Sequence, residues 1–325
     1  MNRLVALALT GLLAVGVTSH KAAAEKWDMP TPYPDGNFHT KTVAAFAADV
    51  AKATNGKIEI AIHSAGSLYK HAEIKNAVRK GLAPIGEVLI SLHSNESPVY
   101  GFDSVPFLAT GYGDARKLYD AQKAALEETL EKEGLVLLYS VPWPPQGLYA
   151  KREINSVGDL AGLKFRTYNA IIGRLAALAK AAPVQIEIPD LPTAFATGRV
   201  DVMITSASSG VQSKAEEYLT HYYDTQAWLP RNMVFVNKAA FDKLSDDEQK
   251  ALRSAAETAE AKGWEASEAE MAIKTKMLKD AGIIVQPPSP ELLAGLKEIG
   301  KTLADEWKEK AGEQGAAMVD AFLSK

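Results

Sequence analysis

Arg166 is the residue in this chain best suited to hold a small charged molecule. It stands in Asp159-Leu-Ala-Gly-Leu-Lys-Phe-Arg-Thr-Tyr-Asn169, where a short apolar run ends and a helix-like pattern begins. A guanidinium keeps its charge and presents five donors in a rigid fork that matches a carboxylate bidentately, so an arginine at a strand end suits an organic acid. The same position also suits a solvated surface residue or half of an internal ion pair, and the surroundings must decide.

Other chemistry is poorly served. His39, His63, His71, His93 and His221 show no HExxH or other metal spacing. No GxSxG elbow or P-loop occurs, and Gly111-Tyr-Gly113 lacks the third glycine and the preceding strand that a dinucleotide loop requires. The carboxylate pairs Glu127-Glu128 and Asp246-Asp247 sit on polar helical faces, where solvated charge explains them. With no cysteine, thiolate metal sites and cysteine nucleophiles are excluded. Neither a catalytic group, a metal nor a cofactor is expected.

The elements that must position Arg166 alternate between strand and helix. Lys26 to Met29 reads as a first strand. Val43, Phe46, Ala47 and Val50 fall at helical spacing, and Ile58, Ile60 and Ile62 alternate as a strand does. Ile74, Ala77 and Val78 mark a helix ended by Gly81, and a charged helical stretch from Tyr112 to Glu133 precedes Gly134 and the run Leu135 to Tyr139. Leu163 to Phe165, Val184 to Ile186, Val202 to Ile204 and Met233 to Val236 read as further buried strands. This pattern predicts an α/β protein with largely parallel sheets.

Pro142-Trp143-Pro144-Pro145-Gln146-Gly147 and Trp228-Leu229-Pro230-Arg231-Asn232 interrupt the alternation as two seams. Two crossings between lobes would make a hinge. The expected division is lobe I over 25–143 and 232–271, and lobe II over 144–231 and 272–325. Ser245-Asp-Asp-Glu248 is a capping box opening a long helix that runs toward Lys279, with Gly282 beyond it, long enough to brace both lobes. Ser289-Pro290-Glu291 starts a last helix.

Residues 1–24 read as a signal peptide, with Arg3, an apolar run from Leu4 to Val17 and the small residues Ala22-Ala23-Ala24. The mature chain is therefore expected in the periplasm. Lys and Arg total 36 against 40 Asp and Glu, and losing Arg3 and Lys21 deepens the negative balance, which argues against a nucleic-acid partner.

With these features in place, the chain resembles the solute-binding proteins of tripartite ATP-independent periplasmic (TRAP) transporters. The likeness is carried by Thr54-Asn-Gly-Lys-Ile-Glu-Ile60 followed by Gly66-Ser-Leu68, by Val105-Pro-Phe-Leu108, by Ile154 through Arg166, and by Ala194-Phe-Ala-Thr-Gly-Arg-Val-Asp201. It implies a two-lobed periplasmic-binding-protein-like fold with a hinge and a long lobe-spanning helix. It implies a receptor that closes over one solute and delivers it to TRAP membrane permease subunits. It places Arg166 on the family arginine that pairs with the substrate carboxylate.

The chain departs from the family pattern after Gly147, where many relatives carry a second arginine and this sequence reads Leu148-Tyr149. One fixed cation suits a monocarboxylate. Past Asp201, Thr205 and Ser206 offer short hydroxyls at a strand end. Tyr33, Phe38, His39, Ser91, His93, Trp143, Tyr168 and Trp228 are the remaining candidates, because they follow strands or flank the seams, where α/β sheets bind ligands. Their aromatic content points to an aromatic or otherwise apolar carboxylate. Binders of a sugar acid, an oxo acid or a dicarboxylate stay open as alternatives, as do a periplasmic enzyme and a receptor that serves a sensor.

Overall fold

The computed structural model describes residues 24–324; apart from Ala24, the expected signal peptide lies outside the described residues. The alternation read from the sequence appears as three sheets packed with helices. A parallel pair, Glu25–Pro30 with Ile58–His63, and an antiparallel three-stranded sheet, Ile85–Leu89, Arg231–Asn237 and Leu135–Pro142, belong to the first lobe. The second lobe holds a six-stranded sheet in the order Ile284–Gln286, His221–Tyr223, Gln146–Ala150, Val202–Ser206, Lys164–Thr167, Ala182–Gln185.

The expectation of largely parallel sheets is corrected. Arg231–Asn237 runs antiparallel to both neighbours, and so does Gln146–Ala150. These two strands adjoin the seams, where the chain leaves one sheet and enters the other. A strand arriving from the opposite lobe has no crossover helix to turn it round, so it pairs against its neighbours. The rest of the second sheet keeps the parallel pairing that helical connections impose.

The seams lie side by side. Trp143 N donates to Pro230 O at 2.7 Å, Gln146 N to Trp228 O at 3.0 Å, and Ala227 N to Gln146 O at 3.0 Å. Proline on both segments removes donors that a continuous strand would need, and the backbone bonds that remain stitch the crossings into one double ribbon. Close approach is strict here: a Cβ on Gly147 would lie 2.3 Å from the Tyr222 ring.

The long helix Asp246–Asp280 opens on the Ser245–Glu248 capping box, in which Ser245 N donates to Glu248 Oε2 at 2.9 Å. Its first half buries Leu252, Ala255, Ala256 and Ala259 in the large core shared with Phe46 and Val141, and Leu278 near its end joins the second-lobe core with Tyr149 and Met203. It therefore spans the lobes. The segment 272–325 touches both: Leu278 and Ile283 pack into the second lobe, whereas Trp307 and Met318 of the helix Pro290–Leu323 pack with Phe102 and Leu118 of the first.

Candidate ligand cavity between the lobes

Arg166 occupies a parallel strand, with Val184 on one side and Met203 on the other. Lys164–Thr167 is buried beyond its first residue, so the guanidinium has to leave the sheet at its C-terminal end, and there it enters a cavity of about 350 Å³ between the lobes. Pro32, Tyr33, Gly66, His71, Leu89 and Trp143 wall it from the first lobe, and Gln146, Arg166, Tyr168, Glu187, Thr205 and Ser209 from the second.

The arginine is 1% exposed. Its Nε donates to Ile186 O at 2.8 Å, its Cζ lies 4.9 Å from the centre of the Tyr168 ring, and Nη1 is buried without a hydrogen-bond partner. Burial pushes its pKa below the usual arginine value, and the dipoles and charges of Tyr168 and Glu187 oppose that. A guanidinium does not lose its proton in a protein, so this is a buried cation with one unpartnered donor, in a side chain that lines the cavity. The other fully buried arginine, Arg231, faces Asp103 Oδ2 at 3.9 Å and donates through Nη2 to Gln122. Arg231 too leaves Nε and Nη1 without a hydrogen bond, but it has a carboxylate at hand, whereas among the described residues no carboxylate lies within ion-pair distance of Arg166.

The aromatic walls are held by hydrogen bonds behind them. Trp143 Nε1 donates to Asn232 Oδ1 at 2.9 Å and the Tyr33 hydroxyl to the same atom at 3.3 Å. Asn232 Nδ2 donates to the buried carboxylate of Glu87 at 3.0 Å, and Thr31 donates to its other oxygen. Burial raises the Glu87 pKa to about 7, against those two hydrogen bonds, which lower it. Across the cavity the Tyr168 hydroxyl donates to Gln146 Oε1 at 3.0 Å. Each ring is thereby fixed in orientation before any ligand arrives.

Of the residues expected from the sequence, Arg166, Tyr33, Trp143, Tyr168 and Thr205 share this cavity. The other six stand away from its wall. Phe38 and His39 pack behind Trp143, at ring-centroid distances of 5.4 Å and 4.5 Å, because the helix they open turns that face into the core. His39 is buried, its pKa pushed well below the ordinary value by loss of solvent, with Nδ1 3.5 Å from Glu87 Oε1. Ser91 Oγ accepts from Asn169 Nδ2 at 2.9 Å and so ties the lobes together at a distance from the arginine. His93 turns to Glu96 Oε1 at 2.7 Å. Ser206 spends its hydroxyl on the helix that follows, accepting from Ser209 N at 3.1 Å. Trp228 is buried in the hinge, where its carbonyl accepts from Gln146 N.

His71, Gln146, Glu187 and Ser209 were not expected. His71 looked like one of several lone histidines. Glu187 had a legible signal: it lies just past the strand Ala182–Gln185, whose parallel neighbour Lys164–Thr167 carries Arg166 near its end, which is the switch-point position. Leu148, which follows Gly147, is fully buried in the core and is not among the residues that line the cavity.

With the geometry established, comparison with known proteins assigns the family. The description "Bacterial extracellular solute-binding protein, family 7" matches residues 31–310. The chain belongs to this family. Its members are the solute receptors of TRAP transporters, which serve membrane permease components and are not enzymes. Among curated relatives, the 2,3-diketo-L-gulonate-binding periplasmic protein YiaO of Escherichia coli is 27% identical over 264 residues, covering 78% of each chain. Among solved structures, the Bordetella pertussis extracytoplasmic solute receptor DctP6, which binds pyroglutamic acid, is 45% identical with a TM-score of 0.91, covering 93% of this chain and 100% of that one. A marine metagenome TRAP solute-binding protein specific for pyroglutamate is 42% identical with a TM-score of 0.91, covering 93% and 99%. A family member from Sulfitobacter with bound β-D-galacturonate shares the fold at 19% identity and a TM-score of 0.85 over 93% and 100%. The two-lobed architecture with hinge and long helix is thus the family fold, and an organic acid is the class of solute.

Proposed function

We propose that this protein is a periplasmic receptor for pyroglutamate or a closely similar lactam carboxylate, which it captures on Arg166 by closure of the lobes and passes to a TRAP permease. The carrying observation is a buried guanidinium that has no carboxylate partner among the described residues and leaves Nη1 unpartnered, in a side chain that lines the cavity between the lobes. A bidentate carboxylate supplies the missing acceptors and neutralises the charge in a setting of low dielectric, where the pair is worth far more than on a surface. One guanidinium matches one carboxylate, and Leu148 offers no second cation.

The aromatic acid expected from the sequence gives way to a small ring. The edges and faces of Tyr33, Trp143 and Tyr168 are apolar enough for the methylene side of a five-membered lactam, while Gln146, Thr205 and Glu187 add polar groups that a plain aromatic acid would leave unpaired. Three solved structures at 40–45% identity that bind pyroglutamate support the reading.

The experiment is calorimetry and thermal shift with pyroglutamate, benzoate, phenylacetate, 2-oxo acids and glucuronate, alongside mass spectrometry of ligand carried through purification. A stabilising, saturable response to pyroglutamate that is lost in Arg166→Lys supports the proposal. Tight binding of an aromatic acid with none of pyroglutamate sinks it.

A further inference from the structure

The groups around a carboxylate clamp decide what else the ligand must carry. Here one of them, on the same side of the cleft as the clamp, is itself a carboxylate. Glu187 lines the same cavity as Arg166, and the two residues are linked through the backbone because Arg166 Nε binds the carbonyl of Ile186, the preceding residue. Glu187 Oε2 lies 3.5 Å from His71 Nδ1, and His71 comes from the other lobe.

The tautomer of His71 follows from its second nitrogen. Leu89 N donates to His71 Nε2 at 3.1 Å, so Nε2 carries a lone pair and the ring proton resides on Nδ1, aimed at Glu187. The imidazole thus presents a donor to the carboxylate. Burial works to raise the Glu187 pKa, but His71 and the Arg166 charge outweigh it, and the group is held below its ordinary value. Lys70 and Asp190 also reach the cavity, and both are exposed at its edge.

We infer that Glu187 is the specificity-determining acceptor of this site: it takes an N–H of the solute whose carboxylate Arg166 holds, and it turns away solutes with a second carboxylate. The inference rests on the proposed lactam carboxylate function. An anionic acceptor inside a cavity rewards a ring N–H with a charge-assisted hydrogen bond, leaves the ring oxygen of a lactone facing a like partial charge, and repels a dianion. His71 acts as a positioning residue, and since it reaches Glu187 only across the cleft, the acceptor is set when the lobes meet. This makes selection part of closure rather than of first encounter.

The test compares two rings of the same shape, pyroglutamate and the γ-lactone carboxylate in which oxygen replaces the N–H, together with glutarate as the dianion, by calorimetry on the full mature chain. Wild type is expected to prefer the lactam by about ten- to a hundredfold, the span of one hydrogen bond to a charged group. In Glu187→Gln the preference should fall to within about threefold and glutarate should bind more tightly, while melting without ligand stays unchanged because the side chain is partly exposed. His71→Asn should move the lactam-to-lactone ratio part of the way, which a merely structural role would not. Equal affinity of wild type for lactam and lactone overturns this inference alone, as does an unchanged ratio in Glu187→Gln. Failure of wild type to bind either ring overturns the proposed function and this inference with it.

Discussion

Arg166 Nε donates to the carbonyl oxygen of Ile186 at 2.8 Å, and this bond aims the rest of the guanidinium into the interlobe cavity. The residue just past the neighbouring strand thus anchors the clamp, while Nη1 makes no hydrogen bond within the protein. Arg166→Lys keeps the charge but loses the fork and the bond to Ile186. Its ligand affinity should drop at least about tenfold, read by calorimetry, since a hydrogen bond to a charged group is worth about 1.5–3 kcal/mol.

The same residue should cost stability when the cavity is empty. A buried cation without an anion is a desolvation penalty, and apolar replacements of such groups commonly stabilise by about 1–4 kcal/mol. Arg166→Met should therefore raise the melting temperature of the ligand-free protein while abolishing ligand-induced stabilisation. Lower melting of the variant would show that the bond to Ile186 and the stacking on Tyr168 outweigh desolvation.

Asn232 joins Trp143, Tyr33 and Glu87 behind the cavity. Asn232→Leu strands the Trp143 N–H and removes a donor from a buried carboxylate. Chemical denaturation should show a loss of about 2 kcal/mol or more, and ligand affinity should fall because the Trp143 ring is no longer held in place.

Glu87 makes stability depend on pH. Its pKa is raised by burial to about 7 from an ordinary 4.5, so the folded state holds a proton that the unfolded chain has released. The stabilisation is complete below about pH 4.5 and is lost as pH rises toward about 7, amounting to roughly 3 kcal/mol at most. His39, buried beside it with a lowered pKa, works in the opposite sense, its contribution present above the ordinary histidine value and lost on acidification. The difference in unfolding free energy between wild type and Glu87→Gln isolates the glutamate: the variant should gain relative stability between pH 5 and 8, whereas a pH-independent difference would place an ionised Glu87 in the folded protein.

Gly263 lies inside the long helix against the hinge strand, and a Cβ there would sit 2.4 Å from a methyl of Val141. In an open helix, glycine to alanine stabilises by about 0.5–1 kcal/mol. Gly263→Ala should instead destabilise, by about 1–3 kcal/mol, because the contact forces apart two packed elements. Thermal melting gives the sign directly.

Much of this molecule could be read one segment at a time. The helix Phe38–Ala53 follows from Val43, Phe46 and Val50 at helical spacing, and Gly81, with φ +71°, ends the helix His71–Arg79 as its position suggested. The capping box at Ser245 marks the start of the long helix to the residue. Strand direction was less legible: Met233 to Val236 reads as a buried strand and Gln146–Ala150 does not read as a strand at all, and the antiparallel pairing of both comes from the two crossings between lobes. The short strands His221–Tyr223 and Ile284–Gln286 owe their existence to pairing, the first with Gln146–Ala150 and the second with the first, and to no local pattern.

The sequence by itself determined the α/β alternation, the two proline-rich crossings, the lobe-bracing helix and the arginine at a strand end, because each depends on propensities and spacings within one short segment. Tertiary structure alone decided what stands around that arginine. Phe38, His39 and Ser206 lie near the cavity residues in sequence, yet they turn into the core or into a helix cap. His71 and Glu187 are far apart in the chain and meet across the cavity. Which side chain of an element faces the cleft depends on how two lobes approach, and that approach is set by contacts between distant segments that no local spacing encodes.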